Sequence, residues 1–394
     1  MMDIEKRSVL KYFLFGSLYF SEGLMMAIAF VIIPVYFVDS NVPVSLTGLV
    51  VGIATIPVTI KFVWGGIADY FLRFGRKLFI VIGGFLLIIS MFSFIFINPS
   101  DTLILFTIFL FIGVCGVGFL DVSSDAWAIN IGKKNEIGKI NGSMFAGQYA
   151  GMAFGSAVLA TVASEISYQI AFLLTGLVIL GIITFSLIIK ERKIIIKKEK
   201  KTKILINEFK KKETQILTSA APLLWVNRGI LMIVLPLYMK IGLNLELAQI
   251  GLIVSLFPIT SAIGSIVGGA MSDKWSRKTV IYLFLWMSIL STGSFIFADT
   301  WIVLAVLYAI FGFLQGSYIS ISCAMFMDVT NPKVGATQFS ILTSLGNVGM
   351  MAGETVSGTM IVLLGFSRTF LYSAWIFGPS MIVLYFLKRR KNIK

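Results

Sequence analysis

Apolar runs of about twenty or more residues succeed one another from end to end of this chain of 394 residues, each long enough to cross roughly 30 Å of hydrocarbon. In lipid a backbone must satisfy its own hydrogen bonds, so runs of this length are expected to be helices. About twelve spans are predicted, over 11–38, 44–64, 76–97, 102–129, 138–163, 166–189, 214–239, 247–268, 279–297, 300–328, 336–364 and 368–388. The expected fold class is an all-α membrane protein of two six-helix pseudo-repeats. An N-terminal bundle over 1–189 and a C-terminal bundle over 214–394 are joined by a basic linker over 190–213.

Charge placement orients the spans. Lys6, Arg7, Lys11, Arg73, Arg76, Lys77, Lys133, Lys134, Lys139, the linker, Lys274, Arg277, Lys278, Lys333 and the tail from Lys388 fall on one side. The opposite loops hold only Lys240 and Arg368 as cations, and carry Asp39, Asp101, Glu165, Glu246 and Asp299. This asymmetry predicts cytoplasmic termini and a multi-pass protein of the cell membrane. The net charge of +14 therefore belongs to inner loops, not to a nucleic-acid surface. The linker alternates basic clusters with Ile and Leu, which suits either contact with the anionic inner leaflet or a solvated tether. Lys6 and Arg7 precede an apolar run too long for a cleaved signal, with no small-residue cleavage site closing it.

Histidine is absent, which removes His-based acid–base chemistry and His-ligated metals; any proton must travel on carboxylates. Cys115 and Cys323 both lie in apolar segments and suggest neither a disulfide framework nor a zinc site. No nucleotide-binding loop is seen, no cofactor is expected, and an enzyme is disfavoured.

The halves repeat. PVTIKFVWGGIADYFLRFGRK (Pro57–Lys77) ends in a glycine, acid and base loop that returns as GGAMSDKWSRK (Gly268–Lys278). In both, a glycine stands four residues before the acid, Gly65 to Asp69 and Gly269 to Asp273. Pro34 and Tyr36 in VIIPVYF answer Pro236 and Tyr238 in IVLPLYM. Upstream, Glu22-Gly23 answers Arg228-Gly229. Spans five and eleven are rich in small residues, suited to close helix contact. Parallel repeats of this kind place a substrate path between the halves.

Charges inside apolar runs cost at least about 2.5–3.5 kcal/mol at a helix centre, so each needs a reason. Glu22 and Arg228 sit near the middle of spans one and seven, as substrate or proton ligands or as a structural ion pair. Asp121 and Asp125 share one helix face and suit a proton site or a gate. Lys61 either snorkels or pairs with one of these acids. Gln315, Tyr318 and Ser322 form a polar stripe in span ten, and Glu354 lies deep in span eleven. Gln148 is a ligand or interhelical glue. Trp127 and Trp301 fit interfacial anchoring.

The duplicated loop resembles the signature of the major facilitator superfamily. Within it, Pro57-x-x-x-Lys61-Phe62-x-Trp64, Asp121-x-x-x-Asp125-Ala126-Trp127 and Thr330-Asn331-Pro332-Lys333 with Ala336-Thr337-Gln338-Phe339 resemble the group of AmpG-type muropeptide permeases and acetyl-coenzyme A transporters. The resemblance implies alternating access between two six-helix bundles, usually proton-driven. It makes Gly65, Asp69, Arg73, Arg76, Gly269, Asp273 and Arg277 gate residues. Three family features are missing: the usual loop glycine, where the second copy has Ser276, an arginine in span four, and the proline of drug–proton antiporters between Gly151 and Gly155. The expected function is symport of a small polar or anionic metabolite with protons, by a monomer. Facilitated diffusion or export of amphipathic compounds is the alternative, and a non-transporting receptor or scaffold a third.

Overall fold

The computed structural model describes residues 2–3, 8–131, 137–191, 202–331 and 334–387. Lys6, Arg7, Lys133, Lys134, Pro332, Lys333, linker residues 192–201 and the tail from Lys388 lie outside the described residues.

Among the described residues, nine helices are long and apolar enough to cross a membrane. We label the helices used below α1 (Ser8–Ala27), α2 (Val44–Ala54), α3 (Lys61–Tyr70), α4 (Arg76–Ser93), α5 (Leu103–Ile131), α6 (Ile137–Phe154) and α7 (Tyr168–Ile188). The chain continues with α8 (Thr202–Phe209), α9 (Lys212–Leu237), α10 (Leu247–Val254), α11 (Leu256–Lys274), α12 (Arg277–Ser294), α13 (Trp301–Val329), α14 (Gly335–Trp375) and α15 (Phe377–Tyr385). The one described strand pairing joins Met2–Asp3 to Ile189–Lys190 in parallel.

Local chemistry sets the ends. Ser167 accepts the Ile170 N–H at the start of α7, Thr300 does the same for Val303 in α13, and Glu246 with Gln249 closes a capping box on α10. The predicted second span, 44–64, is broken into α2, a turn over Ile56–Thr59, and α3. Pro57 accounts for the break, since it has no N–H to continue the ladder. Spans eleven and twelve meet at Gly365, whose φ of +71° interrupts the helix and favours glycine, beside the predicted boundary between 364 and 368.

The chain forms two compact units. The first holds 1–43, 53–197 and 246–255; the second holds 44–52, 198–245 and 256–394. Each unit thus takes in one short segment from the other half of the sequence. In the second unit, Gly48 of α2 lies on the Glu354 carbonyl and the Ser357 hydroxyl of α14. In the first, Gly251 of α10 lies on the Ser156 carbonyl just beyond α6.

Within each unit the first helix of a repeat crosses the fifth closely. A Cβ on Gly23 would run into the Gln148 carbonyl, and one on Gly229 into the Met350 carbonyl. Gly66, in α3, has nothing within 4 Å of such a Cβ. Gly23→Ala is expected to destabilise the protein by about 1–3 kcal/mol through overpacking, whereas Gly66→Ala is neutral or stabilising. Thermal melts of the two purified variants check this.

The linker is tied at both ends. Glu191 accepts the backbone N–H of Arg76 (2.6 Å) and of Lys77 (3.0 Å), a carboxylate at the N-terminus of α4. Lys77 Nζ donates to the carbonyls of Leu187 (2.5 Å) and Ile189 (2.7 Å). The second repeat does likewise: Lys278 Nζ donates to Tyr385 (2.6 Å) and Leu387 (2.6 Å). The motif lysines therefore cap the last helix of each repeat.

At its far end the linker forms α8. Its Glu208 accepts from Lys211 Nζ at 2.6 Å and from Asn331 Nδ2 at 2.7 Å. Gln338 braces Asn331, accepting its N–H at 2.9 Å and donating to the Val329 carbonyl at 3.0 Å. The Lys211 hydrogen bond, then that of Asn331, holds the Glu208 carboxyl below the usual carboxylate range. A depressed folded value gives stability above the unfolded value, lost only as pH falls through the folded one. Protection of the 202–209 amides, relative to their intrinsic exchange rates, is thus expected to hold from neutrality to about pH 5 and to fall only in stronger acid, below the ordinary Glu value near 4.3. Glu208→Gln should remove that pH dependence.

One prediction fails here. Trp127 is fully buried, edge-on to Phe15 at 5.7 Å, because it faces α1 within its unit, not lipid headgroups. Trp301 is 57% exposed.

Candidate functional site

In the first unit the buried polar residues converge. Asp121 and Asp125 lie one turn apart on α5, and the Tyr19 hydroxyl of α1 reaches both. Its Oη is 2.9 Å from Asp121 Oδ1 and 2.6 Å from Asp125 Oδ1. Lys61 of α3 brings Nζ to 3.3 Å from Asp121 Oδ2. Glu22, one turn beyond Tyr19 on α1 and 2% exposed, accepts from Gln148 Nε2 of α6 at 3.1 Å. Its second oxygen, Oε1, is buried with no hydrogen-bond partner. Gln148 thus ties α6 to α1 through Glu22, and Lys61 stands against Asp121. A carboxylate oxygen buried without a donor is costly.

Sequence reasoning missed Tyr19. The signal was present: Tyr19 stands three residues before Glu22, the spacing that puts both on one helix face.

In the second unit Arg228 occupies the matching place on α9. Its guanidinium lies 5.7 Å from the Phe257 ring centroid and within electrostatic reach of Tyr308 and Tyr318. Its Nε is buried without a hydrogen-bond partner, and the salt bridges among the described residues do not include it. Tyr318 donates to Gln315 Oε1 at 2.8 Å, leaving the Gln315 amide Nε2 buried without an acceptor. Ser322, also in the stripe, donates to the Ile319 carbonyl of its own helix at 2.8 Å. Trp225 Nε1, one turn before Arg228, is likewise a buried donor without a partner.

The repeats correspond residue for residue at the crossing. Gly23 faces the Gln148 carbonyl and the Met152 N–H; Gly229 faces the Met350 carbonyl and the Glu354 N–H. Glu354, fully buried, therefore stands where the first repeat has Met152, and Met350 where it has Gln148. The acid has moved from the first helix of the repeat to the fifth, and a cation has taken its place.

The loop motif forms a separate cluster. Arg277 Nη1 is 2.9 Å from Asp328 Oδ1, Nη2 is 3.6 Å from Asp273 Oδ1, and the guanidinium also donates to the Ala324 carbonyl. Asp328, at the end of α13, was not singled out from sequence; it stands two residues before the Thr330-Asn331 block. Gly269 packs beside Ser320 and Gly65 beside Val122. Arg73 covers the Phe74 ring at 4.6 Å, and Arg76 is 4% exposed at the start of α4. Asp69 belongs to α3 by its backbone; its side chain lies outside the described part of the structure. A cleft of about 590 Å³ lined by Glu208, Lys211, Asp328 and Asn331 adjoins the linker dock, not the buried charges.

A family model described as Major Facilitator Superfamily matches residues 15–228 and 217–394. Quinolone resistance protein NorA of Staphylococcus aureus is 28% identical over 138 residues, 35% of each chain, so the match spans about a third of that relative's length. Among solved structures, a variant of the nucleoside transporter NupG aligns with a TM-score of 0.78 at 15% identity, covering 95% of this chain and 98% of that one. A D-xylose–proton symporter aligns with a TM-score of 0.71 at 15% identity and 96% of each chain. At such identity the likeness is one of fold.

Proposed function

The chain belongs to the major facilitator superfamily, a multi-pass membrane transporter and not an enzyme, and from that premise we propose that it moves a small anionic or polar metabolite together with protons. The observation that carries the substrate class is Arg228. A guanidinium inside an apolar bundle, outside every salt bridge among the described residues, is balanced when a substrate supplies the anion. The Gln315 amide and the Trp225 indole N–H supply neutral donors from the same unit. Glu22 and the Asp121/Asp125 pair supply the carboxylates that proton coupling needs in a chain without histidine.

The architecture proposed with this function is twelve spans with both termini cytoplasmic. The nine long apolar helices become twelve when the Gly365 bend divides one, and when the broken segment 44–70 and the small-residue segment 137–165 are counted. The halves 1–189 and 214–394 act as the two moving bundles, and Asp69, Arg73, Arg76, Asp273 and Arg277 as their gate. The AmpG-like blocks favour an anionic metabolite; one of them, Asn331 with Gln338, docks α8. The protein works as a monomer in the cell membrane, with the basic linker near its inner leaflet.

Uptake into proteoliposomes tests this. A panel of muropeptides, coenzyme A esters, organic acids, nucleosides and pentoses is offered with and without an imposed pH gradient. Gradient-driven accumulation of an anionic member supports the proposal; flux indifferent to the gradient overturns symport. A second reading, export of amphipathic compounds, rests on the partial match to a quinolone resistance protein. Gradient-driven expulsion of a quinolone, with no anion taken up, would favour it.

A further inference from the structure

Tyr19 has one hydroxyl proton, yet its oxygen stands 2.9 Å from Asp121 Oδ1 and 2.6 Å from Asp125 Oδ1. A hydroxyl donates one hydrogen bond, and an ionised carboxylate only accepts. With both acids ionised, one of these short contacts sets lone pair against lone pair. Both become hydrogen bonds when one acid carries a proton and donates it to the tyrosine oxygen.

Lys61 decides which acid that is. Its Nζ is 3.3 Å from Asp121 Oδ2, so the negative charge is favoured on Asp121 and the proton on Asp125. The loaded site is then a directed chain. Asp125 O–H donates to Tyr19 Oη, Tyr19 O–H donates to Asp121 Oδ1, and Lys61 donates to Asp121 Oδ2. Its formal charge is zero, and every contact in it has a donor. When the proton leaves Asp125 for water, the site keeps one net negative charge and one short contact without a donor.

We propose that Tyr19 is a positioning residue that makes Asp121 and Asp125 bind and release a single proton as one unit. The inference rests on the reading of the chain as proton-coupled. Tyr19 is 5% exposed, with the Phe145 ring packed against it at 6.3 Å, so side chains and not bulk water complete its bonds. The other groups facing this site are Glu22 on α1, held by neutral Gln148 of α6, and Lys11, farther down α1, which donates to the Ile131 carbonyl. Neither Gln148 nor Lys11 contacts the acid pair, so neither supplies the donor that Tyr19 lacks.

The test is pH-dependent infrared spectroscopy of the full-length protein in liposomes, without substrate, following the carbonyl band of protonated carboxyl groups. One component should vanish in Asp125→Asn; Glu22→Gln identifies any component due to Glu22. In Tyr19→Phe the Asp125 component should need more acid to appear, by about one pH unit or more, the worth of one hydrogen bond to a charged group. Asp121→Asn should move it the same way, by removing the like charge and releasing Lys61, and serves where Tyr19→Phe fails to fold. A wild-type profile in Tyr19→Phe, or in Asp121→Asn where Tyr19→Phe fails to fold, overturns the role of Tyr19. Survival of every component in Asp125→Asn overturns the shared proton. Coupling itself is judged separately by gradient-driven uptake of wild-type protein, so the two failures are distinguishable.

Discussion

Arg228→Leu is expected to reduce uptake of an anionic substrate at least a hundredfold and to leave the purified protein folded. Removing one partner of a buried charge pair costs roughly 3–5 kcal/mol, and each 1.4 kcal/mol is a factor of ten. The apolar variant should melt no lower than wild type, because it also removes a guanidinium whose Nε is buried without a partner. Arg228→Lys keeps the charge but not the planar fork, so it should fall between the two. Saturation uptake locates the loss. A raised KM places Arg228 on the substrate, whereas a lowered maximal rate at unchanged KM would remove it from the binding site.

The second large effect belongs to Glu22. Glutamine copies the protonated acid permanently and can still meet Gln148 through its carbonyl oxygen. If Glu22 must lose its proton during the cycle, Glu22→Gln should still exchange substrate across the membrane but no longer concentrate it. A one-proton symporter working with a gradient of about one pH unit can concentrate a neutral load about tenfold, since one unit is about 1.4 kcal/mol. The variant should settle at a ratio near one. Full accumulation by Glu22→Gln would assign the proton to the Asp121/Asp125 pair alone.

The helical architecture was legible because lipid allows few backbone solutions, and a run such as Leu103–Ile131 announces one of them. Duplication was legible as well, since the two copies of the loop keep the same glycine-to-acid spacing. The break near Pro57 was not predicted, whereas the boundary between spans eleven and twelve falls beside the interruption at Gly365. Hydropathy does not report a missing N–H. The candidate site was legible as a set of misplaced charges. Its wiring was not: Tyr19 looks like one of many aromatics until its hydroxyl is seen between two acids. Trp127 misled for the converse reason. An indole near a helix end suits an interface, and only packing against Phe15 reveals that it points inward.

The exchanged short segments carry a consequence for biosynthesis. Residues 44–52 find their place against the stretch around Glu354–Gly358, roughly three hundred residues downstream. At about 5–20 residues per second of translation, that partner arrives on the order of 15–60 s later. During that interval the newly inserted N-terminal half keeps α2 without the neighbour it has in this structure. Residues 246–255, whose partners near Ser156 are already made, can dock as soon as they emerge. Premature release from the insertion machinery should therefore harm the early half more than the late one.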